Sequence, residues 1–210
     1  MQTILIPVTS YEQNCSLIIC TQSREAAVID PGGDLPRILA KASKADAKIT
    51  KILITHGHFD HCAAARPLAD QLGVPIEGPG EEDLFLLDAL PEWTQATGFP
   101  HADAFVPDRW LKDGDRVQLG AIELRVLHCP GHTPGHLAFY APSAGLAFVG
   151  DILFAGSIGR TDLPGGNHRQ LIESIRTKLL PLGDDVAFVP GHGPGSTLGD
   201  ERHHNPFLQG

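Results

Sequence analysis

Apolar runs of four to seven residues alternate along this chain with polar stretches rich in glycine and proline. The runs at 3–8, 15–20, 26–30, 50–55, 122–128, 136–140, 145–150 and 186–190 read as β-strands, bounded by turn-forming residues. Helical spacing appears between and after them. Asp34 is placed to cap a helix with Pro36 in its first turn, and Ile38, Leu39 and Ala42 form one apolar side. A second helix is expected over Ala63–Leu72, and a third from His168 to Leu180, where Leu171, Ile172, Ile175 and Leu179 recur at helical intervals. The segment 77–113 is the least regular, broken by Pro79, Gly80, Pro91, Gly98, Pro100 and Pro107. It carries both tryptophans, Trp93 and Trp110, with Phe85, Phe99 and Phe105. This segment reads as a small satellite core under a long connection, or alternatively as an apolar wall or lid beside a site.

Composition narrows the class without choosing it. The 210 residues, 42% hydrophobic and 20% charged, suit one well-buried soluble domain spanning 1–210. A formal net charge of −9 argues against a broad nucleic-acid surface, which needs clustered cations. The start Met1-Gln2-Thr3-Ile4 lacks a basic stretch followed by a long apolar core, and no apolar run approaches the ~18 residues of a membrane span, so a cytoplasmic location without membrane contact is expected. Cys15, Cys20, Cys62 and Cys129 form no Cys-x-x-Cys pair and read as free thiols in a reducing compartment, with Cys62 next to a candidate ligand.

The chemistry concentrates after the run Ile52-Leu53-Ile54, in Thr55-His56-Gly57-His58-Phe59-Asp60-His61. Three imidazoles and a carboxylate within six residues are a metal-site signature, because neutral His and ionised Asp are ordinary ligands for zinc or iron. A strand ending at Thr55 and a loop containing Gly57 let His56 and His58 share one ion, leaving Asp60 and His61 free to face a second. The same ligand types recur after apolar runs at His132, Asp151 and His192, where Gly and Pro shape tight loops. His136 opens a strand-like run and is read as an outer partner that fixes a ligand rather than as a ligand. His101, His128, His168, His203 and His204 are read as ordinary surface or core histidines.

The order His-x-His-x-Asp-His, then His132, Asp151 and His192, resembles the metallo-β-lactamase-fold hydrolases, and within them the short bacterial glyoxalase II-like group. The resemblance extends from Val28-Ile29-Asp30-Pro31-Gly32-Gly33 through Gly159-Arg160-Thr161-Asp162 to Pro190-Gly191-His192-Gly193-Pro194. It implies an α/β (α+β) fold, the four-layer αββα sandwich, which periodicity alone does not distinguish from other α/β layerings. It also implies a first metal on His56, His58 and His132, a second on Asp60, His61 and His192, and Asp151 bridging both. Asp30 takes the position of the family's aspartate that supports the metal loop, and Arg160 that of a basic residue contacting glutathione. The aromatic stretch that follows it in that family is replaced here by Thr161-Asp162-Leu163, and few residues follow His192, so weaker glutathione binding is expected.

The implied cofactors are two divalent ions per chain, zinc foremost, with iron or manganese admitted by the same donors. Two ions roughly 3.5–4 Å apart bring a shared water's pKa from ~15.7 toward neutrality, with Asp60 and Asp151 as the catalytic carboxylates. A thiol of pKa ~8.5 leaves without a dedicated acid, which favours thioesters. The expected partner is thus a small-molecule thioester, foremost the lactoyl conjugate of glutathione. The alternatives are a persulfide dioxygenase holding one iron, which Gly159-Arg160-Thr161-Asp162 also resembles, and a noncatalytic metal-binding module. A β-lactamase is less expected, because those enzymes generally lack Asp at the bridging position. Gly156-Ser157-Ile158-Gly159 is not a Gly-x-Ser-x-Gly nucleophile motif.

Overall fold

The computed structural model of the protein describes residues 1–209. Its first sheet joins β1 (Gln2–Val8), β2 (Gln13–Ile19), β3 (Glu25–Ile29), β4 (Lys48–Leu53) and β5 (Ile76–Glu77) in that spatial order. The first three strands run antiparallel and the last three parallel. Parallel neighbours need a crossover, supplied between β3 and β4 by α1 (Leu35–Lys44) and between β4 and β5 by α2 (Phe59–Cys62) and α3 (Ala65–Leu72). The chain then forms α4 (Leu84–Asp88) and α5 (Leu90–Thr97) before entering the second sheet.

That sheet begins with β6 (Arg116–Leu119), β7 (Ile122–His128), β8 (Leu137–Ala141) and β9 (Leu146–Gly150), all antiparallel. A ribbon of β10 (Leu153–Phe154) and β11 (Ser157–Ile158) and the helix α6 (His168–Ser174) follow. The chain returns as β12 (Ala187–Pro190), parallel to β9, then β13 (Ser196–Thr197) and α7 (Leu198–His204). The spatial order is β13-β12-β9-β8-β7-β6.

Side chains of a strand alternate between its faces, and here both faces are dry. Leu17, Val28 and Ile52 point into a core shared with Ile38 of α1 and Leu68 of α3. Their neighbours Ile18, Ile29 and Leu53 point the other way, against Leu124, Val126, Phe139 and Phe148 of the second sheet. Ala138, Ala147 and Val149 occupy that sheet's opposite face, under Leu171, Ile175 and Leu198. The layers are therefore αββα, and the continuously apolar runs follow from strands buried on both sides.

The helices differ from expectation in instructive ways. Asp34 stands at the N-cap position of α1, but its side chain makes no capping hydrogen bond. Its backbone is left-handed (φ 51°), and its carboxylate instead accepts the Thr9 N–H at 2.7 Å. The helix expected over 63–72 begins earlier and divides, since Pro67 has no N–H to give the carbonyl of Ala63. The third helix is α-helical to Ser174 and continues as a π-helical stretch over Ile175–Leu179, still burying Leu171, Ile175 and Leu179. Segment 77–113 forms no satellite core of its own. Leu87, Leu90, Ala102 and Phe105 join the core of α1 and α3, and Leu111 joins the layer between the sheets.

Phe139 is fully buried between the sheets, opposite Val126 on one side and Phe148 on the other. Phe139→Ala is expected to cost about 3–5 kcal/mol, read as a lowered urea midpoint at unchanged slope. A loss below about 1 kcal/mol would show that the sheets close over the gap.

Candidate metal centre

The strands β4, β9 and β12 end side by side, and each runs directly into a polar residue of interest. Past β4 come Thr55, His56 and His58, past β9 Asp151, and past β12 His192. The loop between β7 and β8 adds His132, and α2 adds Asp60 and His61. Short hydrogen bonds fix these ends together. Gly191 N–H donates to the Gly150 carbonyl at 2.7 Å, Asn14 N–H to Gly191 O at 2.7 Å, and the Asn14 side-chain amide to Pro190 O and Gly193 O. No side chain fits at Gly191, because a Cβ there would overlap Asp151 Oδ1 and the ring of His61.

His56 Nε2, His58 Nδ1 and His132 Nε2 meet at one point: the first lies 3.1 Å and the third 3.0 Å from His58 Nδ1. Four ligands at 2.0–2.1 Å around one tetrahedral ion would be separated by about 3.3 Å, so this spacing is close to that of a ligand set. Two of the rings, His56 and His132, are fixed from their far sides. Thr55 Oγ1 donates to Asp30 Oδ2 at 2.6 Å and so accepts from His56 Nδ1 at 3.0 Å, while His132 Nδ1 donates to the Arg160 carbonyl at 2.7 Å. Both tautomers leave the Nε2 lone pair facing inward.

The second group is Asp60 Oδ2, His61 Nε2 and His192 Nε2. Asp60 Oδ2 is 3.2 Å from His192 and 3.8 Å from His61. Again the outer nitrogens are committed, with His61 Nδ1 donating to Asp30 Oδ2 at 2.9 Å and His192 Nδ1 to the Tyr11 carbonyl at 3.1 Å. Asp151 stands between the groups. Its Oδ1 is 3.4 Å from His61 Nε2, and its Oδ2 is 3.7 Å from His132 Nε2 and 3.8 Å from His192 Nε2.

Electrostatics divides the groups in the same way. Burial and neighbouring imidazoles hold His56 and His132 below the ordinary imidazole range and His58 down at about 3, so these rings are neutral and able to coordinate. Burial also pushes His61 down, but Asp151 and Asp60 outweigh it and raise the ring well above its usual range. Burial would raise Asp151 and Asp60, yet the surrounding histidines hold both carboxylates below theirs. The three buried side-chain atoms without a hydrogen-bond partner among the described residues, His61 Nε2, Asp151 Oδ1 and Gln13 Oε1, belong to this region. Two inward-facing orphans on a ring and a carboxylate fit a cation.

Residues placed around the donors explain why they hold still. Asp30, itself left-handed (φ 53°), accepts Thr55 N–H at 2.7 Å as well as the bonds above. His136 stacks on His56 at 4.5 Å, donates to Leu137 O and accepts the Asp151 N–H at 3.1 Å, which is a supporting position rather than a ligand position. The Cys62 thiol turns to the His58 carbonyl at 3.2 Å, away from the donor atoms. Two further residues gave no sequence signal. Asp83, inside the irregular segment, accepts Gly57 N–H, Thr133 Oγ1–H and Gly135 N–H at 2.6–2.9 Å. Tyr11 orients His192 through its carbonyl and packs its ring edge-on against Phe59 and Phe99.

A cavity of about 430 Å³ opens beside the donors, lined by His58, Asp60, His132, Asp151 and His192 together with Tyr11, Phe59, Leu86, Trp93 and Leu163. The segment at 84–97 thus packs a core with one face and walls the cavity with the other. Arg160 reaches the cavity, but its guanidinium is held bidentately by Asp162, with both bonds at 2.8 Å.

Strand ends in two stacked sheets carrying this His and Asp arrangement define the class: the chain belongs to the metallo-beta-lactamase superfamily, whose sequence profile matches residues 8–192. It is 48% identical to the hydroxyacylglutathione hydrolase GloC of Haemophilus influenzae, over 99% of this chain and 98% of that protein. The crystal structure of the B3 metallo-beta-lactamase BLEG-1 superposes with a TM-score of 0.92 at 35% identity, covering 100% of both chains. That of TTHA1623 in a di-iron-bound form gives 0.89 at 38% identity, over 98% of this chain and 100% of the other. The protein is accordingly a hydrolase of this superfamily with a metal-binding His and Asp cluster. No helix among the described residues is long and apolar enough to cross a membrane.

Gly191→Ala forces a methyl group into Asp151 and His61. It is expected to lower bound metal by at least one equivalent with an unchanged far-ultraviolet spectrum. Full metal content by elemental analysis would show that the loop yields.

Proposed function

We propose that this protein hydrolyses 2-hydroxyacyl thioesters of glutathione, with the lactoyl conjugate as the leading substrate, using two divalent cations. His56, His58 and His132 would hold one and Asp60, His61 and His192 the other, with Asp151 shared. The observation that carries this is the placement of Asp151 between two donor groups of three residues each: its Oδ2 lies 3.7 Å from His132 of one and 3.8 Å from His192 of the other, and its Oδ1 3.4 Å from His61. The 48% identity to GloC supports the thiol-conjugate substrate. Zinc suits the imidazole-rich set, and iron has the di-iron form of TTHA1623 in its favour.

Bound cations would supply Lewis acidity toward the thioester carbonyl and a water acidified toward neutral pH. The chain's own groups do the rest. Asp60, held ionised beside His61 and His192, can orient a water by accepting a hydrogen bond from it. Phe59, Leu86 and Trp93 exclude bulk water from one side of the cavity. No residue needs to protonate the leaving thiolate, whose conjugate acid has a pKa of about 8.5. A persulfide dioxygenase holding one iron on the same His and Asp pattern is the second reading, and the 48% identity to GloC favours the hydrolase. The likeness to BLEG-1 makes β-lactams a comparison substrate, although a departing amine needs a proton that a thiolate does not.

Metal stoichiometry and lactoylglutathione hydrolysis measured on one preparation test this directly. Two metals with turnover are expected; one iron, no thioesterase activity and oxygen uptake with glutathione persulfide would overturn it. Asp151→Ala should remove about one metal equivalent and lower kcat at least about 100-fold without unfolding, and near-normal values of both would end the bridging assignment. Asp162→Ala, which releases Arg160, should lower KM for lactoylglutathione about threefold to tenfold, and Arg160→Ala should raise it similarly at unchanged metal content. An unchanged KM in both would confine the pair to the surface.

A further inference from the structure

We infer that Asp83 is a positioning residue for the first donor group, setting the metal affinity of His56, His58 and His132 and tying them to the wall of the cavity; the inference rests on the two-cation reading above. Asp83 is fully buried, and each of its bonds reaches a loop that carries these ligands. Its Oδ2 accepts Gly57 N–H at 2.9 Å, between His56 and His58, and Thr133 Oγ1–H at 2.8 Å, next to His132. Its Oδ1 accepts Gly135 N–H at 2.6 Å. Gly80 N–H donates to the Gly135 carbonyl at 2.9 Å and closes the same clasp.

The glycines show how close this approach is. A Cβ at Gly135 would lie 2.6 Å from Gly80 O and 2.8 Å from Asp83 Cγ, and one at Gly57 would lie 2.8 Å from Leu86 Cβ. Asp83 directly precedes α4, so the carboxylate that spaces the two ligand loops also anchors the helix that brings Leu86 to the cavity. Asp30 is its counterpart, a buried carboxylate with three donors, but its bonds go to Thr55 and His61. The outer support of the two groups is thus divided: Asp83 serves only the first, while Asp30 reaches the second directly and the first only through Thr55. Burial pushes the Asp83 carboxyl up to about 6, against the three donors that favour its charge.

The test is competitive zinc titration of the apoprotein against a chromogenic chelator, which uses no substrate. Wild type should take up two equivalents; uptake of fewer than two would count against the two-cation reading itself, whatever the variants do. Asp83→Asn keeps the shape but offers an NH2 where a donor must be accepted. It should weaken one equivalent about 10- to 100-fold and leave the other unchanged, as loss of an outer partner does. Thr133→Val should do the same more mildly, and Thr133→Ser, which keeps the hydroxyl, should restore wild-type affinity; this pair decides the matter if Asp83→Asn does not fold. Equal weakening of both equivalents, or no weakening in a folded variant, would overturn the assignment. Loss of thioester turnover in wild type with the one-site effect intact would overturn the substrate proposal and leave Asp83 in place.

Discussion

Imidazole lone pairs held about 3 Å apart in a dry interior repel one another, and the site depends on overcoming that repulsion before any ligand arrives. The rings are gripped from behind. Nδ1 of His56, His61, His132 and His192 is each committed to an oxygen on the outer side, supplied by Thr55, Asp30, the Arg160 carbonyl and the Tyr11 carbonyl. Those oxygens are themselves fixed by strand ends or tight loops, so rotating any of these four rings breaks a hydrogen bond. Preorganisation of this kind shifts the cost of assembling the donors onto folding, where two sheets buried on both faces supply the stabilisation.

Much of this was legible in the sequence, because strands dry on both sides announce themselves as unbroken apolar runs and because ligands at strand ends follow those runs directly. The side chains of His56, His58, Asp60, His61, His132, Asp151 and His192 converge, and Asp30 and His136 bond to residues among them. Asp83 was not legible, since its partners are two backbone amides and a threonine hydroxyl that no spacing relates to it. Tyr11 was hidden for a similar reason: its carbonyl does the orienting, and a carbonyl has no residue identity. The Asp34 cap failed because a left-handed backbone redirected a side chain whose local pattern was correct.

The segment at 77–113 resisted reading because its two duties have no common period. Leu87 and Leu90 face the core while Leu86 and Trp93 face the cavity, so apolar residues appear on nearly every side of α4 and α5 and neither face stands out.

That arrangement separates two kinds of change. The donors sit in loops tied by several backbone and side-chain hydrogen bonds, so substitution there disrupts several neighbours at once. Apart from the clasp at its start, most of the stretch 84–97 meets the cavity through packing alone, and such contacts tolerate exchange of one apolar shape for another. Descendants of this chain could therefore trade one substrate for another by altering a single short stretch, and the cluster of His and Asp donors would pass to them unchanged.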